Sequence, residues 1–430
     1  MRHTLNTRSA LRAAASDSVP RFGMRSWRSE RTAPQPLPIE TWRRLAACTV
    51  AAALLQLDGT LITVALPSVA RGLDVTTGAT ASVLSAYFAS YALALLPGGS
   101  LVDRFGARST ALLGLAVFAL GAAGGALAPS FGLLVAMRAV QGLGAGLVSP
   151  AALAGAVSGF PPERRGGALG IWGASAGVSN LLGPLLGGML TVTLGWRAAW
   201  WALVPLALLA AFGVIREVPT SLHDERVDHP ATNMTVLVAS FVASLTFAVM
   251  IGCFYLAEQY LQRVAGFSAL GASIVLVWVA LLVVVGAPVA GRLADRHGER
   301  LPAAGGFFAA AAGLGALGIP GMPLDSPLTL IPLIPVGLGL GMLFVPTSRA
   351  ALNAVPLGSH GRTSALLSVG RLLGAAVGAG LAGIAVGGTV SGSTIHVVLL
   401  VACGVCAVIG APSAAGLRAR AQPFALISEA

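Results

Sequence analysis

Apolar residues come in long blocks along this chain, separated by short polar interruptions. From residue 45 onward, twelve blocks approach the roughly 20 residues that a helix needs to cross a bilayer. They cover 45–66, 80–102, 108–128, 132–157, 164–190, 196–215, 235–259, 268–292, 301–320, 327–352, 362–388 and 393–415. A chain in lipid has no water to satisfy its backbone, so each block is predicted to be an α-helix.

Two of the interruptions are copies. Residues 99–108 read G-S-L-V-D-R-F-G-A-R and residues 291–300 read G-R-L-A-D-R-H-G-E-R. Gly99, Leu101, Asp103, Arg104, Gly106 and Arg108 match Gly291, Leu293, Asp295, Arg296, Gly298 and Arg300, all at an offset of 192 residues. The charges stay in water, and Gly106 and Gly298 supply the turns. One copy alone reads as a charged loop; two copies at one offset read as a duplicated half. Gly142, Gly144, Gly146 and Pro150 in the fourth block are echoed by Gly337, Gly339, Gly341 and Pro346 in the tenth, at offsets of 195 and 196. The expected fold class is therefore all-α, a polytopic membrane protein with twelve transmembrane helices in two pseudo-symmetric six-helix bundles. Residues 1–44 form a disordered arginine-rich tail, 45–215 the first bundle, 216–234 a linker, 235–415 the second bundle and 416–430 a short tail.

Composition agrees. Hydrophobic residues make up 56% of the 430 and charged residues 10%, with a mean hydropathy of +0.82. A soluble domain carries about 25% charged residues. The net charge of +11 comes from 27 basic residues, all arginine, against 16 acids. A basic excess can signal nucleic acid, but these arginines sit in short loops and tails without interleaved aromatics, which argues against it. With the N-terminus inside, 21 arginines fall in cytoplasmic segments and three, Arg71, Arg197 and Arg263, in outer loops. This positive-inside bias places both termini and both loop copies in the cytoplasm of a plasma membrane, with a bacterial inner membrane expected. The tail also resembles a transit peptide superficially, and Met24 offers an alternative start. The four cysteines lie inside apolar blocks and imply no disulfide framework. Packing is the expected role of the Cys403-x-x-Cys406 pair. Asp224, Glu225 and Asp228 with His223 and His229 read as a solvated linker rather than a metal cluster.

The layout of six helices, a linker and six helices, with a D-R-x-G loop after the second helix of each half, resembles the major facilitator superfamily. R-A-V-Q-G-L-G-A-G (Arg138 to Gly146) is similar to the superfamily's Arg-x-x-Gln-Gly motif. G-P-L-L-G-G, carrying Gly183, Pro184, Gly187 and Gly188, is similar to its helix-five antiporter motif. L-D-G-T-L-I-T-V-A-L-P (Leu57 to Pro67) resembles the signature of the drug:proton antiporter branch. That branch usually has fourteen helices, and the 19-residue linker leaves no room for the extra two. Ser179 stands where the helix-five motif favours glycine, and Ala107 where the loop motif favours a base. The resemblance implies that the loop motif, with Asp103 and Arg108 as its charged contacts, gates the cytoplasmic side.

An ionisable group inside a span is costly unless paired or hydrated, so each marks a candidate site. Asp58 and Glu258 are the two carboxylates within the blocks. Asp58 lies about 20 Å deep from the cytoplasmic side and Arg138 about 9 Å from the other, at 1.5 Å per residue. In a core about 30 Å thick these depths coincide. The two are predicted to pair, with Gln141 on the same helix face. They read either as a proton-coupling pair, which the resemblance supports, or as a permanent structural salt bridge. Glu258 reads as a hydrated residue at the outer interface or as part of the site. Arg371 is expected to face the bundle interior and Arg349 to snorkel. Phe88, Tyr91, Gln141, Trp172, Glu258 and Arg371 are the candidate substrate-lining residues.

The predicted function is secondary active export of small amphipathic or apolar compounds, such as drugs, antibiotics or secondary metabolites, against proton entry. A monomer, no metal and no cofactor are expected, with the proton gradient as energy source. No phosphate-binding G-x-x-x-x-G-K-[ST] loop is present. An uptake carrier for a metabolite is the alternative, and a sensor or enzyme a remote one, since no Ser/His/Asp set converges.

Overall fold

The computed structural model describes residues 37–161, 165–220, 233–320, 326–355, 360–387 and 392–417. The acidic and histidine-bearing stretch 223–229 and the bulk of both tails lie outside the described residues. Twelve helical stretches are long and apolar enough to cross a membrane, and among the described residues there is no strand. The first six are α1 (Ile39–Gly72), α2 (Ala81–Phe105), α3 (Ala107–Leu127), α4 (Phe131–Val157), α5 (Arg165–Leu194) and α6 (Arg197–Glu217). Then follow α7 (Met234–Arg263), α8 (Ala269–His297) and α9 (Arg300–Leu317). The tenth span is divided into α10 (Leu330–Gly341) and α11 (Phe344–Asn353), and α12 (His360–Val386) is the eleventh. The last joins α13 (Gly392–Gly404) through a π-helical stretch, Val405–Gly410, to α14 (Ala411–Ala414). The chain is a multi-pass membrane protein.

The duplicated loops are built alike. Gly106 (φ 82, ψ 160) ends α2 and Gly298 (φ 75, ψ 175) ends α8, and their N–H groups donate to the Val102 and Ala294 carbonyls at 2.8 and 3.0 Å. These dihedrals belong to a region open essentially to glycine alone. A Cβ on Gly298 would meet no atom within 4 Å, so the requirement is one of backbone conformation, not space. Gly298→Ala is expected to cost about 1–3 kcal/mol, read as a lower unfolding midpoint in detergent. An unchanged midpoint would show that the loop relaxes.

Packing carries the same duplication. On α4, Gly142 and Gly146 lie against the backbone of α2 at Tyr87 and Tyr91, while Gly144 lies against α3 at Gly114 and Phe118. On α10, Gly337 and Gly341 lie against α8 at Val279 and Val283, while Gly339 lies against α9 at Gly306 and Ala310. Small residues let backbones approach closely where lipid offers no hydrophobic drive between helices. Gly370, Gly374 and Gly378 seat α12 on α7 at Ser240, Ser244 and Ala248.

Helices α1 to α6 pack among themselves, as do α7 to α14, and the two sets meet mainly along α2 with α12 and α5 with α8. Hydrogen bonds join the sets at the end away from the arginine-rich loops. Gly78 N–H donates to the Gly387 carbonyl at 2.9 Å, and Ser85 Oγ to the Ala376 carbonyl at 2.8 Å. The Tyr255 hydroxyl donates to the Thr77 carbonyl at 2.5 Å and lies 3.1 Å from Thr80 Oγ1. Gln262 Nε2 donates to the Val64 carbonyl at 2.9 Å, and Arg263 to the Pro67 carbonyl at 3.2 Å. This arginine-poor seam is continuous from α1 through α2 to α7 and α12.

Candidate functional site

Asp58 enters the site from α1 and Arg138 from α4, and both side chains are fully shielded from solvent. Arg138 Nη1 lies 2.8 Å from each carboxylate oxygen of Asp58 and donates to Gln141 Oε1 at 2.8 Å. Arg138 Nε donates to the Val83 carbonyl at 3.3 Å, and the guanidinium carbon stands 4.3 Å from the centre of the Tyr87 ring. The Tyr87 hydroxyl donates to the Leu55 carbonyl at 3.1 Å. Three helices thus converge on one ion pair. Their close approach follows from Gly142, whose missing side chain lets α4 rest on the Tyr87 backbone. The depth argument from the sequence predicts this pairing, and the geometry matches it.

The pair is not saturated. Among the described residues, Arg138 Nη2 and Gln141 Nε2 are buried without a hydrogen-bond partner. A buried donor left unpaired is costly, more so on a charged group. Two donors beside a shielded carboxylate are what a ligand or water entering from the bundle interior would meet.

Phe88 and Tyr91 belong to the same locus. Their rings stand edge-on to Tyr87 at 5.3 and 5.8 Å, and Phe88 packs beside Gly59, next to Asp58. Trp172 is half-buried on α5. Arg371 lies apart, on the second set of helices. It donates to Ser348 Oγ at 2.8 Å, and its guanidinium stands 5.9 and 5.8 Å from the Phe247 and Phe344 ring centres.

Glu258 departs from the hydrated interfacial reading. It is fully buried in the arginine-poor seam, because the first set of helices closes over this face of α7. Arg349 also departs from expectation. It pairs with Asp295 of the second loop motif, and its Nε lies 3.7 Å from Glu299, so it does not simply reach for solvent. Asn353 adds a 3.4 Å hydrogen bond to Glu299, tying the end of α8 and the start of α9 to α11. In the first motif Asp103 and Arg104 are exposed, and Asp103 forms no ion pair with another described residue.

The helix-five motif has a divided role. Gly183 and Gly187 lie against α1 at Thr60 and Leu61, whereas Gly188 lies against α8 of the other set, at Ala269, Leu270 and Ser273. Sequence reasoning missed Tyr87, although it stands one turn before Tyr91. It also missed Gln262, one turn after Glu258 on the same face. Among the described residues no group of three or more His, Cys, Asp or Glu side chains is placed to hold a metal.

Residues 48–379 match the family described as Major Facilitator Superfamily. An MFS-type transporter of Mycobacterium tuberculosis, Rv1250, is 37% identical over 42% of this chain, which covers 31% of that protein's length. The puromycin resistance protein pur8 of Streptomyces alboniger is 29% identical over 79% of this chain and 80% of its own. In fold the chain is similar to a bacterial homologue of the human lysosomal transporter Spinster, with a TM-score of 0.73 at 19% identity. That likeness covers 87% of this chain and 96% of the other. Twelve helices in two matching sets, glycine-seated in parallel fashion and matched by the family over most of their length, make this chain a member of the Major Facilitator Superfamily, a transporter and not an enzyme.

Proposed function

We propose that this protein exports small, largely apolar molecules in exchange for protons, by alternating access. The observation that carries the reading is the solvent-shielded Asp58–Arg138 pair at mid-span. Similarity to a puromycin resistance protein supports a drug-like substrate and outward transport. The positive-inside bias makes the arginine-rich end cytoplasmic. In that frame the sets are joined on the outer side, the arrangement of a carrier that opens inward.

Ionised Asp58 holds the Arg138 guanidinium. A proton on Asp58 removes the counter-charge, and Arg138 keeps only Gln141, the Val83 carbonyl and the Tyr87 face. A buried guanidinium without its partner is strongly disfavoured. Protonation therefore favours whichever arrangement lets water or substrate reach Arg138, and this difference biases the two states. Phe88 and Tyr91 supply an apolar wall beside the pair. Trp172 and Arg371, flanked by Phe247 and Phe344, supply further lining. Asp103, which pairs with no other described residue, would hold the cytoplasmic side once it closes. The carrier acts as a monomer in the bilayer, with the proton gradient as its energy source.

The test uses purified protein in liposomes with an internal pH dye, screened against puromycin, cationic dyes and quaternary ammonium compounds. Wild type is expected to move protons with substrate, and Asp58→Asn to bind substrate yet move none. Equal proton movement per substrate in the two proteins would overturn the coupling.

A further inference from the structure

Glu258 takes no part in the Asp58–Arg138 site. Gln262, one turn along α7, donates to Glu258 Oε1 at 2.5 Å and to the Val64 carbonyl of α1 at 2.9 Å. A single amide thus ties the carboxyl group to the opposing set of helices. The other carboxyl oxygen, Oε2, is buried without a partner among the described residues. On the same helix, Phe254 and Ala257 pack against Val64, Ala269 and Leu276.

The charged and titratable groups on the elements around α7 do not neutralise it. On α1, Asp58 is held by Arg138, and Arg71 donates to Ser68. On α8 the first ionisable side chain is Arg292, and on α12 none follows Arg371 up to Val386. On α11, Arg349 is held by Asp295. The last span brings Cys403, the buried Cys406, and His396, which is bonded to the Leu317 carbonyl. On the outer part of α7 itself, Tyr255 and Arg263 are turned to the Thr77 and Pro67 carbonyls, and Cys253 is a free thiol. Among the described residues the seam therefore holds a carboxyl group with one neutral donor and no cation paired to it. Burying a charge so poorly compensated is far costlier than burying the neutral acid. Gln262, bonded to Glu258, also lines a depression at the arginine-poor end together with Ser68, Arg71, Thr191, Phe267 and Ser268.

We propose that Glu258 is a proton-binding gate residue, protonated while the arginine-poor seam is shut and deprotonated to that same side when the seam opens. The shut state then binds one proton more than the open state, so acid on that side favours closure and alkali favours opening. The proton enters and leaves by one face. Glu258 therefore sets the balance between states without adding to the protons carried per substrate, which distinguishes it from Asp58. The proposal rests on the alternating-access reading, in which the seam opens, but not on proton coupling at Asp58.

The full chain is tested in lipid nanodiscs with its four cysteines replaced and spin labels on Leu127→Cys and Ile319→Cys, both exposed at the arginine-poor end. The label separation is expected to lengthen as pH rises from about 6 to about 9. Glu258→Gln is expected to hold the short separation throughout, and Glu258→Asp to keep the response. Asp58→Asn is expected to keep it too, while losing proton-coupled transport. A Glu258→Gln protein that responds to pH as wild type does overturns the proposal. So does a response abolished by Asp58→Asn and retained in Glu258→Gln. If puromycin changes the separation and pH does not, the gate proposal alone fails. If neither changes it, alternating access at this seam fails with it.

Discussion

Arg138→Met is expected to destabilise the protein by about 3–5 kcal/mol, the cost of breaking a buried ion pair from one side. Both oxygens of Asp58 bond to the same Arg138 nitrogen, and both residues are fully shielded. Without the guanidinium, Asp58 is a buried charge with no cation, and Tyr87 loses a cation–π contact of about 1–2 kcal/mol. Methionine keeps much of the volume, so a cavity is not the main cause. Adding Asp58→Asn should restore most of the loss, because neutral replacement of both partners of a buried pair is often tolerated. Unfolding of the two single variants and the double variant in matched detergent closes a double-mutant cycle. Losses that simply add would show that the two residues are energetically independent. The double variant is expected to bind substrate and to remain uncoupled. Proton-coupled export by that variant would reduce the pair to a structural role.

Two adjacent glycines should fail in different ways. Gly187→Leu places a side chain on the Leu61 backbone of α1, within one set of helices, where Leu61 C and Cα lie 3.1 and 3.2 Å from the new Cβ. Backbone cannot rotate aside, so overpacking of about 1–3 kcal/mol or more is expected as lost stability. Gly188→Leu places its side chain across the seam, 2.9 Å from the Ala269 carbonyl and from Leu270 Cα of α8. There the two sets can part, so the expected result is a wedged seam with near-normal stability. Transport should fall at least about tenfold, equivalent to roughly 1.4 kcal/mol against closure. Unfolding midpoints and label separations across the seam distinguish the two. Equal stability losses would mean that the seam is as rigid as the interior of a set.

The twelve spans were legible because lipid forces long apolar runs into helices, and the Asp58–Arg138 pair because 1.5 Å per residue converts sequence position into depth. Helix ends were less legible. The first span was expected at 45–66, but α1 runs from Ile39 to Gly72, since a helix continues past the bilayer where polar groups still complete its turns. The tenth block reads as one apolar run, yet the helix breaks at Met342 and Leu343. Pro346 has no N–H for the Met342 carbonyl, and the Leu343 N–H turns to Leu340, three residues back. Pro412 has the same effect just beyond the π-helical stretch of the last span. Glu258 was misplaced because its depth fitted an interface, and sequence does not reveal which face of α7 the other set covers. The i, i+4 spacing of Glu258 and Gln262 held the missing signal.

The pair between Asp295 and Arg349 bears on how the duplicated halves diverged. The positions that align with Arg349 in the first half, Leu153 and Ala154, carry no charge. Among the described residues, the second copy of the loop has a counter-ion within its own half and the first has none. Asp295 is held within its own half, while Asp103 pairs with no other described residue. In the proposed alternating-access cycle, two motifs almost identical in sequence would divide their labour, one as a fixed brace and the other as the moving tooth of a ratchet, through a difference roughly fifty residues away in the chain.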